Sequence, residues 1–288
     1  MGSKFWKTVK KIQIATGVHP YRNLDLENIT LPILDMEFRY ISRNDGQKEL
    51  VGKGTYGRVY LGRCKGMPSL VVVKCFKNKD MKEICAEAKI MSHLSETGVV
   101  PKCFGLIQDE NSEIQPCLVQ EYFGQGVTLS KFLCDLRVTL KSKNCIGICL
   151  QLSRGLKKIH AQGILLNDIK TDNILIDRYT IDFQIRFIDF GCASTLKGIS
   201  FDISESESCY HVAPEVKAKQ PTSTSSDVFS LGHVFDAIQD LMRVECLVPL
   251  VNSCTMDNPK KRTRLQDLVE DLKSLHHEIF YREMRNWD

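Results

Sequence analysis

The chain has no apolar run approaching the roughly 20 residues that a helix needs to cross a bilayer, so no transmembrane segment is expected. Its first residues lack the apolar core of a signal peptide, and the expected compartment is cytoplasmic or nuclear. Excess charge of one sign is also missing. The formal net charge is +4 over 288 residues, which carries no global signature of nucleic-acid binding. Among 12 cysteines, no pair at zinc-ligand spacing is matched by a second pair. Cys75, Cys85, Cys145 and Cys149 sit in apolar stretches, where a reduced thiol behaves as a small hydrophobe rather than as part of a disulfide framework. No internal repeat or low-complexity tract is present. What remains, 43% hydrophobic and 26% charged, suits one large domain or two lobes with a substantial buried core.

Residues 1–35 differ from the rest: Lys4, Lys7, Lys10 and Lys11 alternate with Phe5, Trp6, Val9 and Ile12 at helical spacing. A membrane or partner anchor and a helix laid against the following domain both fit, and the second is favoured. Trp6 stands where a myristoylation signal needs Ser or Thr. From about 36 to 76 the chain is β-branched and punctuated by glycine, with Leu70–Val73 a buried strand. Ile84, Ala88, Met91 and Ser95 predict a helix over 82–95, and Cys117–Tyr122 a further strand. Beyond that the pattern turns helical. Ile148, Leu152, Leu156 and Ile159 line one amphipathic helix, Val228–Met242 is apolar nearly all round, and Leu265, Leu268, Leu272, Leu275 and Ile279 mark a last helix. Ile181, Phe183, Ile185 and Phe187 alternate as a strand. The expected architecture is α+β: an extension over 1–35, a small β-rich lobe over 36–122, a larger helical lobe over 123–282, and a tail over 283–288.

Gly52-Lys53-Gly54-Thr55-Tyr56-Gly57-Arg58-Val59 lies between strand-like segments and opens no helix, so it fails the test for a dinucleotide turn. A glycine hairpin there lets backbone N–H groups approach phosphates without intervening side chains. Lys74 ends an apolar strand 15 positions after Val59, and Glu87 lies on the helix that follows, able to face the sheet and pair with it. Alone, Lys74 reads as a solvated strand-edge residue. In Asp168-Ile169-Lys170-Thr171-Asp172-Asn173 a carboxylate, a lysine two on and an amide five on fit one tight loop. Asp168 can orient and deprotonate a hydroxyl, Lys170 can stabilise a transferring phosphoryl, and Asn173 can ligate Mg2+. A polar turn after a helix explains the Asp and the Asn but has no use for the whole set. Asp189-Phe190-Gly191 follows the alternating strand, and its Asp can chelate a metal. Downstream, Ala213-Pro214-Glu215 and Arg262 suggest a buried ion pair, and Asp227 can accept backbone N–H bonds from the 168–173 loop.

In their joint order and spacing these residues resemble the eukaryotic protein kinase signature set over about residues 36–282. The resemblance implies a two-lobed fold that uses ATP with Mg2+, Mn2+ being an alternative, and takes protein substrates with Ser or Thr acceptors. It makes Lys74 and Glu87 the ATP-positioning pair, Asp168 the catalytic base assisted by Lys170, and Asn173 and Asp189 the metal ligands. Gly52, Lys53, Gly54 and Gly57 would cover the phosphates. Val59, Val72 and Leu175 would line the adenine pocket, with Gln120 as gatekeeper and Glu121–Phe123 as hinge. Lys170 resembles the Ser/Thr-specific catalytic loop, and Ser208 stands where a Thr often bonds it; Tyr or dual specificity stays open.

Four departures stand out. Leu166-Asn167 replaces the His-Arg before the catalytic Asp, which removes the cation that binds an activation-loop phosphate. The implied enzyme would not be switched on by loop phosphorylation, with acidic Asp202, Glu205 and Glu207 making the segment self-sufficient. Val72 replaces a smaller residue and narrows the adenine pocket. Arg262 follows Asp227 by only 35 positions, so the helix usually found there is reduced or absent. His211 replaces a Tyr and reads as a packing residue in preference to a pH-sensitive element. The competing function is a pseudokinase scaffold, but neither the lysine, the base nor the metal Asp is lost. A small-molecule kinase of the aminoglycoside or choline type is disfavoured by the complete 189–215 segment.

Overall fold

The computed structural model describes residues 38–54, 57–77, 79–107, 117–135, 138–178, 183–201 and 210–285. The amphipathic segment 1–35, the glycine-hairpin tip Thr55-Tyr56, Ile181, Ser208 and the acidic run 202–207 lie outside the described residues. The chain divides into two units. One takes the residues up to Gly126 together with Asp189–Gly191, and the other takes Val127–Ile188 and Cys192 onward. The division therefore falls after Gly126 rather than at 122. A Cβ on Gly126 would stand 2.5 Å from Val51 Cγ1 and 3.4 Å from the Tyr122 ring, which ties that turn to the first unit.

The first unit is a sheet with one helix. Its strands are β1 (Phe38–Tyr40), β2 (Leu50–Gly54), β3 (Gly57–Cys64), β4 (Val71–Phe76), β5 (Cys103–Ile107) and β6 (Cys117–Glu121), and its helix is α1 (Met81–Leu94). All pairings are antiparallel in the order β1-β3-β4-β6-β5, with β2 also on β3. Registers at Phe38↔Cys64 and Gly54↔Gly57 place β1 and β2 end to end along one edge of β3. Alternation along β4 sends Val71, Val73 and Cys75 into one apolar cluster with Phe38, Cys64, Cys117 and Val119. Val72 and Lys74 therefore share the other face.

Helix α1 starts where a capping box allows it. The Asp80 carboxylate accepts from Glu83 N–H at 2.8 Å, and the Glu83 carboxylate accepts from Asp80 N–H at 3.0 Å. Its buried stripe is Ile84, Ala88, Met91 and Leu94, and Glu87 lies on that same face.

The second unit contains α2 (Leu129–Leu133), α3 (Ser142–Ala161), β7 (Ile164–Leu165), β8 (Ile174–Asp177), β9 (Gln184–Phe187), β10 (Ser194–Thr195), α4 (Pro214–Lys217), α5 (Thr224–Met242), α6 (Val248–Cys254) and α7 (Leu265–Arg285). Strands β8 and β9 form a hairpin, and β10 pairs with β7. Ile148, Leu152, Leu156 and Ile159 of α3 are fully buried. Each contributes about 1.5–3 kcal/mol of apolar burial, enough to hold the helix in place.

The alternation expected from residue 181 narrows to Ile185 and Phe187. Phe183 has φ +45° and sits outside β9, its ring edge-on to Phe132 at 5.8 Å. Helix α5 ends on Arg243 at φ +56° and passes directly into a short turn at Glu245–Leu247 and then α6. A Cβ on Gly232 would meet Cys254 Cβ at 2.6 Å, so α6 packs flush on α5 only because that position is glycine. Among the described residues no further α-helix stands between them, in agreement with the shortened segment read from the sequence.

Candidate active site

In the first unit, Lys74 points away from the Cys75 cluster. Its Nζ donates to Glu87 Oε1 at 2.5 Å and to Asp189 Oδ1 at 3.1 Å. Burial alone would lower the pKa of this ammonium, but Glu87 and then Asp189 outweigh it and hold the group above its ordinary value. Burial likewise pushes Asp189 up, and Lys74 overrides it to keep the carboxyl below its usual range. Asp189 takes φ +66°, a left-handed conformation that Asp tolerates better than most residues.

A second cation, absent from the sequence reading, completes this set. Lys79 is buried, and its Nζ donates to Glu87 Oε2 at 3.0 Å. A Cβ on Gly191 would come within 2.6 Å of that ammonium, so glycine at this position leaves room for it.

The proposed pocket residues of this unit are placed by the β-ladder. Val59 is the register partner of Gly52 and Lys74, and buried Val72 is the partner of Leu61 and Gln120. Glu121 N–H donates to the Lys102 carbonyl and its carboxylate accepts from Lys102 N–H, while the Phe123 carbonyl accepts from Gly126 N–H. Of the glycines flanking Lys53, Gly54 has open space where a Cβ would be, and a Cβ on Gly52 would only touch Val59 Cβ at 3.9 Å. Gly57 has no such room: a Cβ there would strike the Cys75 carbonyl oxygen, so this glycine is demanded by the close approach of β3 to β4.

In the second unit, Asp168 gathers three partners. Lys170 Nζ donates to both carboxylate oxygens at 3.0 and 2.8 Å, Asn173 Nδ2 donates to Oδ2 at 2.8 Å, and His211 Nε2 lies 3.1 Å from Oδ1. Burial would raise the Asp168 carboxyl, but the hydrogen bonds from His211 and Lys170 bring it down to about 2. His211 is therefore more than a packing residue. Its ring is buried against the carboxylate, and its carbonyl accepts from Ser230 Oγ at 2.7 Å.

Asp227 holds the loop from behind. Fully buried near the start of α5, it accepts from Leu166 N–H at 2.9 Å and Asn167 N–H at 2.8 Å, with His160 Nε2 at 2.8 Å. Asn167, at φ +64°, donates through Nδ2 to the Cys192 carbonyl at 2.8 Å and to Ser194 Oγ at 2.9 Å. Arg262 makes a two-pronged pair with Glu215 at 2.6 and 2.7 Å. Leu175 lies in this unit, opposite Arg186 in the β8–β9 hairpin and bridged to Thr128.

Each unit, taken by itself, offers a donor whose chemistry suits Mg2+: Asp189 in the first is an ionised oxygen donor, and Asn173 in the second spends its Nδ2 on Asp168, which leaves its amide oxygen for a cation. Among the described residues no group of three or more His, Cys, Asp or Glu could hold a metal by itself. Mg2+ needs no such cage, since it keeps several waters and takes phosphate oxygens.

A family model described as the protein kinase domain matches residues 46–242. The chain belongs to the protein kinase family. The match stops at the last residue of α5, where the segment leading to α6 is short. Similar proteins include "Serine/threonine-protein kinase Nek5" of Mus musculus, 27% identical over 223 residues, covering 77% of this chain and 32% of that protein. "Casein kinase II subunit alpha'" of Saccharomyces cerevisiae is 29% identical over 190 residues, covering 65% of this chain and 53% of that one. "Serine/threonine-protein kinase PLK4" of Nematostella vectensis is 28% identical over 193 residues, covering 64% of this chain and 19% of that one. The chain thus spans less than two thirds of each of these protein kinases.

Proposed function

We propose that this chain is an ATP-dependent protein kinase that transfers the γ-phosphoryl group of Mg-ATP to Ser or Thr hydroxyls of protein substrates. The observation that carries the reading is the buried Lys74–Glu87 pair at 2.5 Å, because a desolvated lysine fixed by a carboxylate is built to hold phosphate. The names of the similar proteins support the Ser/Thr assignment. Lys74 binds the non-transferred phosphates and Lys170 the transferring group. Asp168, ionised across the physiological range, accepts a hydrogen bond from the incoming hydroxyl. With its carboxyl held at about 2 it is a weak base, so its main contribution is orientation, and it takes the proton late in the transfer. Asp189 and Asn173 would hold Mg2+, which would supply neutralisation of phosphate charge. The scaffold alternative loses ground because every one of these side chains is present.

The same reading makes the enzyme independent of activation-loop phosphorylation. Asn167, standing where a phosphate-binding Arg is usual, bonds the Cys192–Ser194 stretch directly, and both Ser194 and Thr195 are buried in β10. The test is transfer of labelled γ-phosphate from Mg-ATP to a mixed Ser, Thr and Tyr peptide library. Transfer to Ser or Thr is expected, with Asp168→Asn reducing it about 100-fold or more while ATP binding persists. Bound ATP with no transfer by the wild type would favour the scaffold. Replacing Ser200, Ser204 and Ser206 together by Ala should leave the rate within about twofold of wild type. A loss of tenfold or more would sink the claim of independence.

A further inference from the structure

Cys75 and Cys117 face each other as direct partners in the antiparallel register of β4 and β6, on the sheet face away from Lys74. Opposed residues of an antiparallel pair have Cα atoms about 4.5–5.5 Å apart, inside the span that a disulfide bridges without moving backbone. The two thiols already meet: Cys117 Sγ donates to Cys75 Sγ at 2.6 Å. Tyr40 Oη lies 3.4 Å from Cys75 Sγ, and Lys48 Nζ stands 3.6 Å from the centroid of that Tyr40 ring. Cys75 is partly open to solvent, whereas Cys117 is buried behind it.

We propose that Cys75 and Cys117 are a two-thiol modification site that closes to an intramolecular disulfide under hydrogen peroxide. The Cys75 thiolate attacks one peroxide oxygen, the O–O bond breaks, and hydroxide leaves and is protonated to water. The sulfenic acid so formed on Cys75 is then attacked by Cys117 as it gives up its proton. The S–S bond forms, the S–O bond breaks, and a second water departs. Two thiols lose two electrons and two protons, and one peroxide becomes two waters. Cys75 is fitted for the first step by its exposure and by the thiol donated to it, which outweighs burial and holds it down at about 7. Cys117 is raised by the same bond and by burial, which suits the resolving partner. Burial raises Cys103, Cys145, Cys149 and Cys254 and outweighs the hydrogen bonds made to them, so they compete poorly for peroxide. The proposal does not depend on the phosphotransfer reading.

The test treats the full chain with hydrogen peroxide, blocks remaining thiols and maps peptides by mass spectrometry. The expected result is a linked pair containing Cys75 and Cys117, lighter by two hydrogens than the reduced peptides and separated by dithiothreitol. The oxidised chain should melt at a higher temperature than the reduced one, and the difference should vanish in Cys117→Ala. In that variant Cys75 should stop at a sulfenic acid that dimedone traps. Absence of the linked pair in wild type, while exposed Cys134 in the same sample is oxidised, overturns the proposal, as does linkage of Cys75 to any other cysteine. If Cys117→Ala fails to fold, the wild-type peptide map decides alone.

Discussion

Lys74 and Glu87 are nearly withdrawn from solvent, their side chains 12% and 2% exposed, whereas Lys170 and Asp168 retain 34% and 22%. The first cluster is assembled from distant stretches: β4, the turn before α1, α1 itself, and Asp189, which follows Lys74 by 115 positions. The second lies almost wholly within one loop of residues 168–173, and its rigidity is borrowed from Asp227 and the backbone N–H groups that it accepts. In the first, charges hold one another in a low dielectric, where losing a partner strands a buried charge. In the second, a hidden frame holds the loop while the working side chains stay partly screened by water, ready to exchange partners.

The sharpest way to break this contrast is to remove the frame. Asp227→Ala leaves two backbone N–H groups and His160 without their acceptor, and should cost about 3–5 kcal/mol in denaturant unfolding and abolish transfer. A loss below about 1 kcal/mol with transfer retained would mean that the loop holds its own shape. In the ion cluster, Lys79→Met takes one of two cations from Glu87 and should cost about 1–3 kcal/mol, with Lys79→Arg recovering much of it. An unchanged unfolding midpoint in Lys79→Met would make the second cation dispensable. The smallest effect on stability belongs to His211→Phe, which keeps the ring and removes its bond to Asp168. Turnover should fall about tenfold with unfolding free energy changed by less than about 1 kcal/mol. Turnover equal to wild type would reduce His211 to a packing residue.

Local spacing made part of this legible. The stripe Ile84, Ala88 and Met91 already turned Glu87 inward, and the loop 168–173 already held a carboxylate, a lysine and an amide within bonding reach. Asp227 and the Glu215–Arg262 pair, though distant, were found because each completes a loop end that otherwise lacks a partner. Lys79 was missed. A lysine in an Asn-Lys-Asp turn reads as solvated, and only the course of the chain into α1 buries it. His211 lies 43 positions from Asp168, and no periodicity links them. Gly57, read as a phosphate-covering glycine, also answers a steric demand from β4 that the sequence does not display. Phe183 fitted a period-two pattern that its positive φ breaks. These are facts of register and approach between segments, which the order of residue types does not encode.

Asp168 carries a consequence for timing. A carboxylate offers about four acceptor directions, and here Lys170 takes two, Asn173 one and His211 one. A substrate hydroxyl arriving at this resting arrangement finds no vacancy and must wait for a donor to leave. Asn173 is anchored a second time on the Asp168 carbonyl, and His211 is pinned through its own backbone by Ser230. Lys170 is the donor on a long flexible stem, and a phosphate draws it away better than a carboxylate already shared by others. On the proposed function the loop would work as a queue, in which nucleotide arrival would open the place that the acceptor hydroxyl then fills.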